Sequence, residues 1–411
     1  MINFDKFTLN NGLRVIVHQD KTTPVVAMNI LYHVGAKDED SKLTGFAHLF
    51  EHLMFGGSVN IPKYDEPLQK VGGENNAFTN NDFTNYYLSL PKENLETAFW
   101  LESDRMLDLA FSEKSLEVQR SVVIEEYKQR YLNQPFGDLW LILRPLIYKV
   151  HPYQWATIGK NIKHIEEATM DDVKDFYHRF YNPDNAIMVI AGDVEVEEIK
   201  QLSEKWFGSI NKSFPLKREI PQEPKQTKAR FLRVEKDVPA SAIFKAYHIG
   251  DRLSADYIVT DLISDLLGNG KSSQLYRSLV REQKLFTSLS CYVSGDIDPG
   301  IIYVAGYLAD NISPEQADKA IVQQLELFKS NTVEDQELQK VKNKYLAARE
   351  FSNSSILDKA MNIAYYELLG DANKINTEKN HYLNVNAEDI GRVSKEIFVN
   401  ENSNTLYYLK K

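Results

Sequence analysis

The spacing of apolar and polar positions divides the chain into short strand-like and helix-like stretches. Near the start, two β-rich runs, Phe7-Thr8-Leu9 and Leu13-Arg14-Val15-Ile16-Val17, flank Asn11-Gly12, the strongest short-range hairpin signal. Residues 25–34 are almost continuously apolar, which fits a central strand ending at Gly35, with His33 as a structural residue at its end. A helical period follows over 46–54. Pro62 to Val71 reads as a short helix closed by Gly72-Gly73, and 74–81 and 83–90 read as paired strands. Residues 92–148 are mostly helical, with breaks at Pro91 and Pro135. A helix over 170–180, a strand over 186–191 and an amphipathic helix over 196–207 complete the first half.

From Asn211 to Thr227 the composition shifts to Lys, Pro, Glu and Gln, which predicts a linker. The pattern then begins again. Ser241-Ala242-Ile243-Phe244-Lys245-Ala246-Tyr247-His248-Ile249-Gly250 resembles Val26 to Gly35, and the helical stretch 257–267 follows it as 46–54 follows the first copy. Later segments read as a strand over 301–308, helices near 314–330, 334–351, 354–369 and 387–398, and a closing strand over 404–409. The expected architecture is α+β: two similar domains related by internal duplication, each a mainly antiparallel sheet packed with helices. Their expected bounds are 1–213 for the N-terminal domain, 214–229 for the linker and 230–411 for the homologous C-terminal domain.

The stretch with chemical content is Gly45-Phe46-Ala47-His48-Leu49-Phe50-Glu51-His52-Leu53-Met54-Phe55-Gly56-Gly57, preceded by Thr44. On a helix His48 and His52 lie one above the other, with Glu51 beside them, while the apolar residues wrap the rest of the circumference. Two neutral imidazoles suit Zn2+, and a carboxylate beside the metal can take a proton from a metal-activated water. His-x-x-Glu-His is the inverted form of the zinc-peptidase motif. Aligning the glycines of the two copies puts Ile263, Leu266 and Leu267 opposite His48, Glu51 and His52, so the duplicate keeps a helix and carries aliphatic residues there.

A third ligand must face this helix. In the helical stretch 113–131, Gln119, Val122, Val123 and Glu126 share one stripe, which favours Glu126. Glu125 turns about 100° away, toward solvent or a supporting position behind the ligands. A surface ion pair with Arg130 is the other reading of Glu126. The polar strands at 74–90 suit either an accessible edge that adds an extended peptide or an ordinary hairpin. Arg277 and Arg281 on a later helix face either a site or solvent.

The chain has 411 residues, 43% of them hydrophobic and 26% charged, enough for two full cores under an ordinary surface. Its net charge of −10 argues against nucleic acid as a partner. No apolar run approaches the roughly 18–20 residues of a membrane span, and the first residues show no signal-peptide pattern. With Cys291 as the single cysteine, these features fit the cytoplasm, or the periplasm if a signal peptide was removed.

The motif, together with Val122-Val123-Ile124-Glu125-Glu126-Tyr127, resembles the pitrilysin/insulinase family of zinc metallopeptidases, the inverzincins. More narrowly it resembles the short two-domain members that include the mitochondrial processing peptidase subunits and bacterial relatives. Asn75-Asn76-Ala77-Phe78-Thr79, Gln134-Pro135-Phe136-Gly137, His151-Pro152-Tyr153 and Leu275 to Gln283 extend the likeness over almost the whole chain. The resemblance implies one Zn2+ per chain on His48, His52 and Glu126, with Glu51 as general base in a zinc-dependent endopeptidase acting on peptides or unfolded segments. It places Asn76, Ala77 and Phe78 on the strand that holds substrate, and Gln119 where the family often carries a supporting glutamate. Arg281 matches a substrate-gripping arginine, whereas the accompanying tyrosine would fall near Thr287 or Ser288. That departure, and a chamber built from two such two-domain chains, imply a homodimer or a heterodimer with a related subunit supplying an Arg/Tyr pair. A non-catalytic assembly or substrate-presenting subunit is the alternative reading.

Overall fold

The computed structural model describes residues 1–212 and 218–411; positions 213–217, including the expected domain boundary and the start of the expected linker, lie outside the described residues. The chain forms two compact units. The first contains Met1–Leu132, Trp155–Pro221 and Glu350–Thr377, and the second Asn133–Gln154, Gln222–Arg349 and Glu378–Lys411.

The first unit holds six strands: β1 (Asp5–Thr8), β2 (Arg14–Gln19), β3 (Val25–Tyr32), β4 (Glu74–Thr79), β5 (Thr84–Pro91) and β6 (Ala186–Gly192). Their order in the sheet is β1-β2-β6-β3-β5-β4, parallel between β2 and β6 and antiparallel elsewhere. The apolar runs of β3 and β6 occupy the centre, and every residue of β6 is buried. Gly12 makes the tight turn before β2 at φ 94°, and a side chain there would meet the Cβ of Asp184 at 2.7 Å.

The second unit holds β7 (Arg230–Lys236), β8 (Ala242–His248), β9 (Phe286–Val293), β10 (Ile301–Leu308) and β11 (Ser403–Lys410), ordered β7-β11-β8-β10-β9. Again one pair is parallel, β7 with β11, and the others are antiparallel. The two sheets therefore repeat one topology, with β3, β5, β4 and β6 answered by β8, β10, β9 and β11. This is the α+β duplication expected from the sequence. The helix Tyr257–Gly268 packs on β9 and β10 as the helix Phe46–Leu53 packs on β4. Strands β7 and β9 and the helix Lys374–Asn384 were not anticipated from the pattern.

Unlike the contiguous ranges 1–213 and 230–411 expected from sequence, the units exchange segments. A sheet with two apolar faces needs cover on both. In the second unit, Ala242, Phe244 and Ala246 of β8 form one face and are covered by Leu143 and Ile147 from the helix Leu139–Ile147, while Ile243 and Tyr247 enter the core on the other face. In the first unit the helix Ile356–Leu368, from the C-terminal half, packs on β2, β3 and β6 with Ala360, Ile363 and Ala364 fully buried. Charges hold it there: Glu367 pairs with Lys6 at 2.5 Å and lies 3.6 Å from Arg14, and Lys359 pairs with Asp20 at 2.8 Å. Truncating Ile363 to Ala should lower stability by about 2–5 kcal/mol in urea unfolding, because it leaves a cavity under β3 and β6; a change below about 0.5 kcal/mol would place this helix outside the core.

Candidate active site

The helix Phe46–Leu53 buries Phe46, Ala47, Leu49, Phe50 and Leu53. Phe50 stacks on Phe176 and Tyr181 with centroids 5.1 and 5.2 Å away, and Tyr86 of β5 donates a hydrogen bond to the Phe50 carbonyl at 3.3 Å. With this face committed to the core, His48, Glu51 and His52 stand together on the partly open face. All three are half-buried, which leaves the polar face accessible.

The helix Glu113–Tyr127 starts at Ser112, whose hydroxyl accepts from the Ser115 amide, and it buries Leu116, Val123 and Tyr127. Val122 is 44% exposed, so the inward stripe is narrower than its sequence spacing suggests. Glu126 lies on that stripe. Its Oε2 is 3.3 Å from His52 Nε2 and 3.6 Å from His48 Nε2, while Oε1 pairs with Arg130 at 2.7 Å. One donor atom from each of His48, His52 and Glu126 falls within 4.8 Å of the other two. The ion pair with Arg130 is therefore present alongside the convergence rather than in place of it.

Burial pushes the His48 imidazole down to about 4, against the pull of Glu126. His48 is thus neutral at pH 7, and its Nδ1 is buried without a hydrogen-bond partner. A proton on Nδ1 leaves the Nε2 lone pair directed at the cluster. The His52 hydrogen bond, with His48 and Arg130, holds the Glu126 carboxyl below the usual range against its burial. Two imidazole nitrogens and one carboxylate oxygen converging in this way are the donor set that zinc takes. Residues and group fit.

Burial raises the Glu51 carboxyl, opposed by the hydroxyl and backbone of Thr79 and by His52. Thr79 ends β4, the edge strand of its sheet, and was not singled out in the sequence; its position at the end of an alternating strand leading toward the motif helix was the available signal. Asn76, Ala77 and Phe78 lie on β4, where exposure alternates and the Phe78 side is 37% exposed. Glu125 takes the solvent alternative and pairs with Lys128 at 2.6 Å on the exposed side of its helix. Gln119 is half-buried and does not bond His48 Nδ1. Arg281 belongs to the second unit, exposed on the helical segment Tyr276–Glu282. His151, also in the second unit, accepts from the Tyr153 amide at 3.1 Å and lies 3.3 Å from Asp298, a structural role. In the duplicate helix, Ile263, Leu266 and Leu267 are buried.

A two-copy α+β chain whose first copy carries an inverted His-x-x-Glu-His helix beside an edge strand belongs to a recognisable class of peptidase-fold proteins. Residues 14–135 match the family described as "Insulinase (Peptidase family M16)", and 167–345 match the "Peptidase M16 inactive domain". The chain is 31% identical over 412 residues to "Zinc protease PqqE" of Helicobacter pylori, covering 98% of this chain and 92% of that protein. A solved structure, "The crystal structure of a protease from Helicobacter pylori", superimposes with a TM-score of 0.93 at 31% identity, covering 99% of this chain and 100% of that one. "Mitochondrial-processing peptidase subunit beta" of Saccharomyces cerevisiae is 28% identical over 269 residues, 64% of this chain and 57% of that protein. The chain belongs to the insulinase (M16) peptidase family. Among the described residues no helix is long and apolar enough to cross a membrane.

In the metal-free protein, the His48 ring should titrate near pH 4 by NMR, well below the ordinary histidine value. Glu126→Gln should lower it further, because that carboxylate is the main group favouring the charged ring. A titration near 6.5 would contradict the burial seen here.

Proposed function

We propose that the protein is a zinc-dependent endopeptidase that hydrolyses peptides or unfolded polypeptide segments. The observation that carries this reading is the convergence of His48 Nε2, His52 Nε2 and Glu126 Oε2 beside Glu51 and the edge strand β4. His48, His52 and Glu126 would hold the ion. When bound, zinc supplies Lewis acidity, polarising a peptide carbonyl and bringing the pKa of a water toward about 7. Glu51 would take a proton from a water in the site and return it to the departing amine, and the rise that burial gives its carboxyl favours such a proton carrier. As the edge strand of its sheet, β4 can take an extended chain as a further strand, with Asn76, Ala77 and Phe78 along it; the Ala77 amide, which donates to Asn76 Oδ1 at 2.8 Å, would exchange that partner for substrate.

The working unit is a dimer, with a second copy or a related subunit. The second sheet carries no counterpart of the metal triad at Ile263, Leu266 and Leu267, and a family relative bears the name of a subunit. Arg281 serves substrate binding in that assembly, and the cytoplasm is the expected compartment, the periplasm the alternative.

Glu51→Gln keeps the shape of the side chain and removes its basicity. It should leave zinc bound at one ion per chain and lower peptide cleavage by at least about 100-fold. Cleavage within a few-fold of wild type, measured on the zinc-loaded variant, would remove Glu51 from the role.

A further inference from the structure

The motif helix is short, and its N-terminal backbone N–H groups need acceptors. Thr44, two residues before its first turn, does not supply one: its hydroxyl accepts from the Lys160 amide at 2.8 Å and contacts His164 Nδ1 at 2.9 Å. Gly45, the first flanking residue, is at φ 93° with its Cβ position 2.8 Å from the Ile158 carbonyl, so no side chain fits there. The acceptor comes from Glu39, six residues upstream. Its Oε2 accepts the Gly45 amide and its Oε1 the Ala47 amide, both at 2.9 Å, and Oε2 also accepts Trp155 Nε1 at 3.1 Å. Ala47 directly precedes His48. Glu39 is 7% and Trp155 4% exposed, so the arrangement is sealed from solvent.

The loop that carries Glu39 is itself fixed to the hairpin of β4 and β5. Ala36 N donates to Asn80 O at 3.1 Å and Lys37 N to Asn81 O at 2.9 Å. Lys37 Nζ pairs with Asp82 at 2.8 Å, with both side chains buried. Trp155 Nε1 donates to the Ala36 carbonyl as well, at 2.9 Å. One short loop thus bears on both the helix of His48, Glu51 and His52 and the hairpin of the edge strand.

We propose that Glu39, with Trp155 behind it, is a positioning residue that sets the placement of His48 and His52 by gripping the N-terminus of their helix through two backbone amides. Burial pushes the Glu39 carboxyl up to about 8 against the pull of the Gly45, Ala47 and Trp155 N–H groups, but with both oxygens accepting N–H donors the geometry is that of a carboxylate matched to two convergent amides and the positive end of the helix. The glutamine isostere cannot: its carboxamide oxygen serves one amide and its NH2 group confronts the other. A merely structural carboxylate would change the stability of the fold and leave the metal affinity of the folded protein as it was. A positioning carboxylate changes that affinity, since displacement of a ligand's support typically costs about 10–100-fold.

This inference rests on the zinc reading of the site, and one set of measurements separates the two. Wild type, Glu39→Gln and Trp155→Phe would be stripped of metal, checked for folding by circular dichroism, and titrated with Zn2+ against a chelator and with Co2+ by absorption. Amide exchange of residues 45–53 would be followed in the metal-free state. Glu39→Gln should bind Zn2+ about 10–100-fold more weakly, with a changed Co2+ spectrum and faster exchange at Gly45 to His48. Trp155→Phe, which removes one donor of three, should show a smaller loss in the same direction. Wild-type affinity and spectrum in a folded Glu39→Gln protein would overturn the proposal. If that variant does not fold, unchanged affinity in Trp155→Phe overturns it. If wild type binds no metal, the zinc reading fails, and the exchange data alone decide whether Glu39 holds the helix.

Discussion

Two imidazole nitrogens and a carboxylate oxygen pressed within 4.8 Å of one another form an arrangement that lone-pair repulsion disfavours unless a cation or a proton lies among them. Much of the first unit can be understood as the framework that enforces this crowding. His48 and His52 are aligned by four-residue spacing on a helix that buries five apolar side chains, and that burial fixes the rotation of the helix about its own axis. Glu126 comes from a second helix whose inward residues are Leu116, Val123 and Tyr127. Arg130 takes one carboxylate oxygen and leaves the other aimed at the rings.

The second unit shows what the same topology does without that demand. Its sheet repeats the strand order of the first, and its equivalent helix fills the three site positions with Ile263, Leu266 and Leu267, all buried. The helix therefore needs no polar triad in order to pack. In the first unit, where burial drives His48 to its neutral form, the triad is a cost to the fold, one that the proposed zinc site would offset.

The strands with continuous apolar runs, β3 and β6, were legible in the sequence, as was the motif helix, because burial on both faces and a 3.6-residue period each leave a clear trace. Strand β7 alternates exposed and half-buried residues and β9 mixes serines into its run, so neither stood out. The exchange of helices between units was not legible either. Leu139–Ile147 and Ile356–Leu368 announce an apolar face, but an apolar face does not say which sheet it will cover. For the same reason the acceptor at the N-terminus of the motif helix was not legible: it is Glu39, brought there by the fold of its loop. The residues brought together at the site were legible where a helix spacing links them and illegible where only tertiary packing does, as with Thr79 beside Glu51.

The most direct test of the account is a cleavage assay on the purified, zinc-loaded protein with an unfolded polypeptide, run alone and with a related subunit, before and after a chelator. The account predicts internal peptide-bond cleavage that disappears with the chelator and returns when Zn2+ is restored. Cleavage indifferent to the chelator, or none from the zinc-loaded protein either alone or paired, would contradict it.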